Sequence, residues 1–188
     1  GWKPAGTEKK ITRSAGQWIH TIDDLPAFDV VKKFLGDDIV DDEKKEGVVK
    51  LNMIYPLQLH RSGGSAFMLP ILFAITEDNS VMLAEEVPEG SLFRFSMPPD
   101  FDVIDSVIQT ASDIKENEMP EADAMIIFSC VGRLASLGPM SSAEVVGLAG
   151  TWNSPMIGFF SLGEFGRVAN GKLEFHGTTV SWAALKEK

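Results

Sequence analysis

The chain has 188 residues, enough for one domain with a substantial core, and its 44% apolar and 23% charged residues are the balance of a soluble globular protein. Acids outnumber bases 27 to 17, a formal charge of −10 with no basic stripe to offset it, which argues against a nucleic-acid partner. A single cysteine excludes an intramolecular disulfide and points to reducing, cytoplasmic surroundings, and no apolar run approaches the roughly 20 residues that a membrane-spanning helix needs.

The opening "GWKPAGTEKK" lacks the apolar core of a signal peptide. Residues 1–9 are expected to be disordered or tag-derived, Gly1 in place of Met fitting a trimmed tag or an excised piece of a longer protein. One domain is expected over 10–188. From Lys10 to Ile22 the alternation of Trp18, His20 and Ile22 with Ile19 and Thr21 predicts two short strands around Ser14-Ala15-Gly16. Pro26 then opens a helix whose face is Phe28, Val31 and Phe34–Leu35, closed by Gly36. Residues 37–47 are charge-dense and expected as a solvated loop.

Extended chain is expected over Val48–Leu59, then a flexible connection at 61–65. "AFMLPILFAIT" and "SVMLAEEV", flanking Glu77-Asp78-Asn79, predict a β-hairpin, and "PEGSLFRFS" a turn and a further strand. The clearest helix lies in 97–118, with Phe101, Ile104, Val107–Ile108, Ala111 and Ile114 at helical spacing. "ADAMIIFS" predicts a buried strand and "SSAEVVGLAG" a helix with a serine cap and Glu144 near a capping-box position. "MIGFFSLGEFG" predicts a strand running into a glycine-rich loop, and "KLEFHGTTVSWAAL" a terminal strand. The fold class is α+β: mixed β-sheet with packed helices in a single compact domain.

Chemistry-bearing residues are sparse. His20, His60 and His176 have no metal-ligand spacing, so no metal is expected, and no phosphate or nucleophile-elbow motif occurs, so neither is a cofactor. Cys130 and His176, with Glu164 as orienter, compose one alternative, a thiol-dependent hydrolase or transferase; the other is that Cys130 packs as a small buried residue. Arg133 follows a buried strand, where a guanidinium could grip a carboxylate by two parallel hydrogen bonds or simply be salt-bridged. Glu164, between Gly163 and Gly166, is placed on a loop after a strand. Together Arg133 and Glu164 are the charge pair that a zwitterionic ligand requires.

Three segments in order, "ADAMIIFSCVGR", "MIGFFSLGEFG" and "LEFHGTTVSW", resemble the signature segments of the FIST C-terminal domain (F-box and intracellular signal transduction proteins). The first carries Cys130-x-x-Arg133, the second Gly158-Phe159 and Gly163-Glu164, the third His176 and Thr179. Upstream, "ITRSAGQWIHTIDDLPAFDVVKKFLG" resembles the family's opening strand pair and helix, and Pro88-Glu89-Gly90 its Pro-x-Gly turn. The resemblance covers the chain from about Lys10 to Leu185. It implies a sensory domain that binds a small polar metabolite such as an amino acid, usually preceded by a FIST N-terminal domain. Its partners would be that ligand and a signalling output domain or partner protein. The implied ligand-binding residues are Cys130, Arg133, Gly163, Glu164, His176 and Thr179. A protein-interaction module is the further alternative, in view of the F-box relatives.

Overall fold

The first strand pair forms as the alternation predicts, but its opening strand is longer. In the computed structural model, which describes residues 2–36, 48–50, 55–60, 66–97, 100–167 and 173–188, β1 runs Pro4–Ala15 and β2 Trp18–Ile22. Residues 4–9, expected to be disordered or tag-derived, are the first half of β1. They are ordered by a partner strand: Pro4 to Lys10 pair with β9 (Leu92–Ser96), while Ile11 to Ala15 pair with β2. Gly16, at φ 58°, makes the tight turn between β1 and β2. The predicted loop at 37–47 and the connection at 61–65 lie outside the described residues.

The chain divides into two compact units, one built mainly from Pro4–Ser96 and the other mainly from Met97–Gly166 and Leu173–Lys188. The first is a nearly closed, barrel-like antiparallel sheet. Its further strands are β3 (Leu25–Pro26), β4 (Val48–Lys50), β5 (Leu57–Leu59), β6 (Phe67–Leu69), β7 (Ile71–Ile75) and β8 (Ser80–Leu83). They line up as β4-β7-β8-β2-β1-β9-β5-β6. The β7–β8 hairpin turns where predicted, with Asn79 at φ 52° and the Ser80 N–H donating to Asp78 Oδ1 at 3.0 Å. Helix α1 (Ala27–Leu35) buries Phe28 and Val31, and Phe34 stacks on Phe95 with ring centroids 4.0 Å apart. Gly36 ends the helix at φ 83°, its N–H on the Lys32 carbonyl.

The second unit is a three-stranded sheet with helices on one face. Its central strand β10 (Ala124–Cys130) pairs in parallel with β11 (Met156–Ser161) and antiparallel with β14 (Val180–Leu185). Between β10 and β11 the chain crosses over through α3 (Val131–Leu137) and α4 (Ser141–Trp152), as parallel neighbours require. Successive strand residues point to opposite faces. Met125 and Ile127, with Val180, Trp182 and Ala184, pack against Val107 and Ala111 of α2 (Phe101–Asn117) and Leu148 and Trp152 of α4. Ser181 points to the other face, where β12 (Glu164–Arg167) lies so close that a Cβ on Gly166 would stand 2.6 Å from the Ser181 Oγ. β12 pairs with β13 (Leu173–His176).

Three further features depart from the sequence expectation. Asp100 caps α2, accepting the Asp102 N–H at 3.1 Å, but Phe101 is 66% exposed rather than part of the buried stripe, while Val103 and Ile104 of the same turn are buried. α3 was not foreseen, since Cys-Val-Gly-Arg follows the apolar run without a cap or a periodic stripe. The segment 172–185, expected as one terminal strand, is two strands around Gly177–Thr179, with Thr178 at φ 55°.

Candidate functional site

The register of the three-stranded sheet assembles a polar row at one end. Cys130, the last residue of β10, stands opposite Ser161, the last residue of β11, and its N–H donates to the Thr179 carbonyl at 3.0 Å. The alternation puts Cys130 on the face of the sheet that the α2 and α4 cluster does not cover. Glu164, the first residue of β12, joins this row. The Ser161 hydroxyl donates to its Oε1 at 2.6 Å and the Thr179 hydroxyl to its Oε2 at 2.8 Å. One carboxyl group therefore links residues of the two outer strands' ends across the end of the central one.

Glu164 is buried, not on an open loop as its glycine-rich surroundings predicted. Gly163 makes the entry to β12 at φ 132°, where a Cβ would come 2.2 Å from the Phe175 ring. Burial drives the Glu164 carboxyl above its ordinary value of 4.5. The hydrogen bonds from Ser161 and from the Thr179 hydroxyl and amide oppose that rise, as does the positive charge of Arg133. A buried carboxyl with a raised proton affinity, gripped by the Ser161 hydroxyl at the carboxyl end of β11 and by the Thr179 hydroxyl just before β14, is the kind of group that accumulates at functional sites.

Arg133 lies in α3 and is 2% exposed. Its Nε donates to both carboxylate oxygens of Glu144 at 3.0 Å, and its Nη2 makes a further bond to Oε1. The capping-box position predicted for Glu144 is not used: no side chain caps α4, and Glu144 turns inward to the guanidinium because that charge would otherwise be buried alone. Arg133 thus reaches Glu164 through its field and does not stand as an open fork. His176 ends β13 and is buried, one residue before the Gly177–Thr179 turn. In that turn the Thr178 carbonyl accepts the Trp2 indole N–H at 2.8 Å, and Thr178 itself holds a backbone conformation unusual for a β-branched residue.

Of the residues expected at the site, Cys130, Thr179 and Glu164 are therefore brought together, with Gly163 forming the approach to Glu164. Ser161 was missed, although it stands three residues before Glu164 in "SLGE", within reach of a turn. Among the described residues no group of three or more His, Cys, Asp or Glu could hold a metal, and no helix is long and apolar enough to cross a membrane. A groove of about 600 Å3 lies apart from the polar row, lined by Ile108, Lys115, Gly147 and Thr151 of α2 and α4.

The model of the FIST C domain matches residues 27–167, most of the chain. The chain belongs to the FIST C domain family. It is accordingly a sensory domain of the kind found in signalling proteins. The matched span of this FIST C domain holds Cys130, Arg133, Gly163 and Glu164, whereas the third resembling segment, with His176 and Thr179, lies beyond it. Comparison with curated proteins and with solved structures returns no match.

Proposed function

We propose that this FIST C domain senses a small polar metabolite bearing an amine, an amino acid among the candidates, and that Glu164 is the group that receives it. The observation carrying this reading is the buried Glu164 carboxyl, with its raised proton affinity, held by Ser161 and Thr179 at the ends of parallel β11 and antiparallel β14. A ligand ammonium would add a directly paired positive charge to the field of Arg133 and would favour the ionised form of the buried carboxyl. Cys130 and Gly163 would line the approach, with His176 close by in the chain.

In the arrangement described, Glu164 and Cys130 are 3% and 4% exposed, so a ligand enters only a more open state. That is what a sensor needs, because a ligand shifts an equilibrium only through different affinities for two states. Arg133 would meet a ligand carboxylate only by leaving Glu144. The output would go to a signalling domain or partner protein.

The test is thermal denaturation against a panel of amino acids and simple amines. A ligand present at 100 times its dissociation constant stabilises the fold by about 2.7 kcal/mol, a readily measured rise in melting temperature. Glu164→Gln should abolish the response while leaving the protein folded. No shift across the panel, or an equal shift in Glu164→Gln, overturns the reading.

A further inference from the structure

The strand β11 is apolar, open and uncharged. In a sheet strand that is parallel to its neighbour, a run such as Met156-Ile157-Gly158-Phe159-Phe160 is ordinarily covered on both faces. Among the described residues β11 ends the three-stranded sheet, with β10 on one side. Ile157, Phe159, Phe160 and Leu162 are between 48% and 84% exposed, as are Phe165 and Leu173 of the neighbouring β12 and β13. Alternation sends Ile157 and Phe159 to the face away from α2 and α4, where both are exposed, and Met156 and Phe160 to the helix face, where Met156 packs partly against the core and Phe160 is 48% exposed. Phe159 meets Phe128 edge to face, the ring centroids 5.1 Å apart, and remains 64% exposed.

Edge strands are normally guarded against pairing by a lysine, an inward charge or a bulge. From Ser154 through Gly163 there is no charged residue, in a chain whose net charge is −10. The ladder with β10 is regular from Met125↔Met156 to Cys130↔Ser161, without a bulge. The six exposed apolar side chains open roughly 800 Å2, taking about 200 Å2 for each when fully open, which is one partner's share of a standard interface of about 1,600 Å2.

We propose that β11 is a dimerisation strand, and that its occupant is β11 of a second copy, paired antiparallel about a two-fold axis at Gly158. Three observations favour a second copy. A strongly acidic chain repels its like everywhere except at an uncharged face, and this is such a face. A two-fold axis normal to the sheet preserves which face each side chain occupies, so it must lie midway between the two copies of one residue. Placed at Gly158, it sets Ile157 opposite Phe159 on one face, twice over, and Met156 opposite Phe160 on the other. Ile157 with Phe159 is the aromatic and β-branched kind of cross-strand pair that stabilises antiparallel ladders, and no bulky side chain stands on the axis.

The experiment is sedimentation velocity of the whole 188-residue chain over a wide range of concentration. A dimer is expected, and Phe159→Lys should raise its dissociation constant at least about tenfold by setting like charges near the axis. Phe159 is exposed, so circular dichroism of that variant should be unchanged. The register is tested by the double variant Ile157→Cys/Phe159→Cys. Directly opposite residues have Cα atoms about 4.5–5.5 Å apart, within disulfide reach, so mild oxidation should link two chains. Phe160→Cys alone should not cross-link. A monomer at every concentration, a dimer indifferent to Phe159→Lys, or cross-linking by Phe160→Cys but not by the double variant overturns the proposal.

Discussion

Arg133 and Glu144 compose the one ion pair whose members are both only 2% exposed, among the described residues, and the consequences of breaking it can be worked out. Each charge lost its water on folding, and each is compensated by the other through three N–H···O contacts. Glu144→Ala leaves a guanidinium buried without its counter-ion, and Arg133→Ala leaves a carboxylate in the same position. Removing one member of such a pair costs about 3–5 kcal/mol. In a protein of this length each kcal/mol lowers the melting temperature by about 2–4 °C, so either variant should melt roughly 6–20 °C lower. Replacing both, as in Arg133→Met/Glu144→Leu, removes both desolvation costs and should recover most of the loss. The measurement is a double-mutant cycle by urea denaturation, followed by circular dichroism. If each single variant loses under about 1 kcal/mol, or the double variant loses the sum of the two, the pair does not hold α3 to α4 and the reasoning fails.

The pH dependence of stability should carry the signature of Glu164. Its folded-state proton affinity is raised above the ordinary 4.5, so its contribution is fully present below that value and is lost as the pH rises through the folded-state value. Relative to Glu164→Gln, the wild type should lose ground steadily as pH climbs above about 4.5; a constant difference across that range refutes the assignment. Gly158→Ala should be strongly destabilising, because a Cβ there would stand 1.9 Å from the Ile127 carbonyl oxygen; a melting temperature within a degree or so of the wild type contradicts it. Cys130, 4% exposed, should react with iodoacetamide far more slowly in the native protein than in urea, and rapid native labelling would revive the thiol-dependent reading.

Much of this was legible in the residues. Periodicity found β1 and β2, α1, the β7–β8 hairpin, α2 and β10, because each carries its own alternation, cap or turn residue. The resemblance singled out Cys130, Glu164 and Thr179, which the sheet does bring together. What escaped was set by tertiary context. Residues 4–9 have no apolar stripe; they are a strand because β9, more than 80 residues on, offers a partner. Glu144 carries the local signal of a capping box, and the buried guanidinium of Arg133 overrides it. The Gly-x-x-Gly surroundings of Glu164 suggest a loop, whereas the chain turns once at Gly163 and enters a strand. Ser161 stands within turn reach of Glu164 in the sequence, but its place beside Cys130 appears only with the register of β10 and β11.

Ser161 occupies the last position of β11, so the strand that would join two copies ends on the hydroxyl that holds Glu164. Binding at one and pairing at the other then share a residue, and linkage requires the effect to run both ways. Whatever factor a ligand at Glu164 applies to the dimer's association constant, dimerisation must apply to the ligand's affinity. Titrating the ligand at low and at high protein concentration would give that factor from either side, and Ser161→Ala, which cuts the shared bond, should bring it towards one.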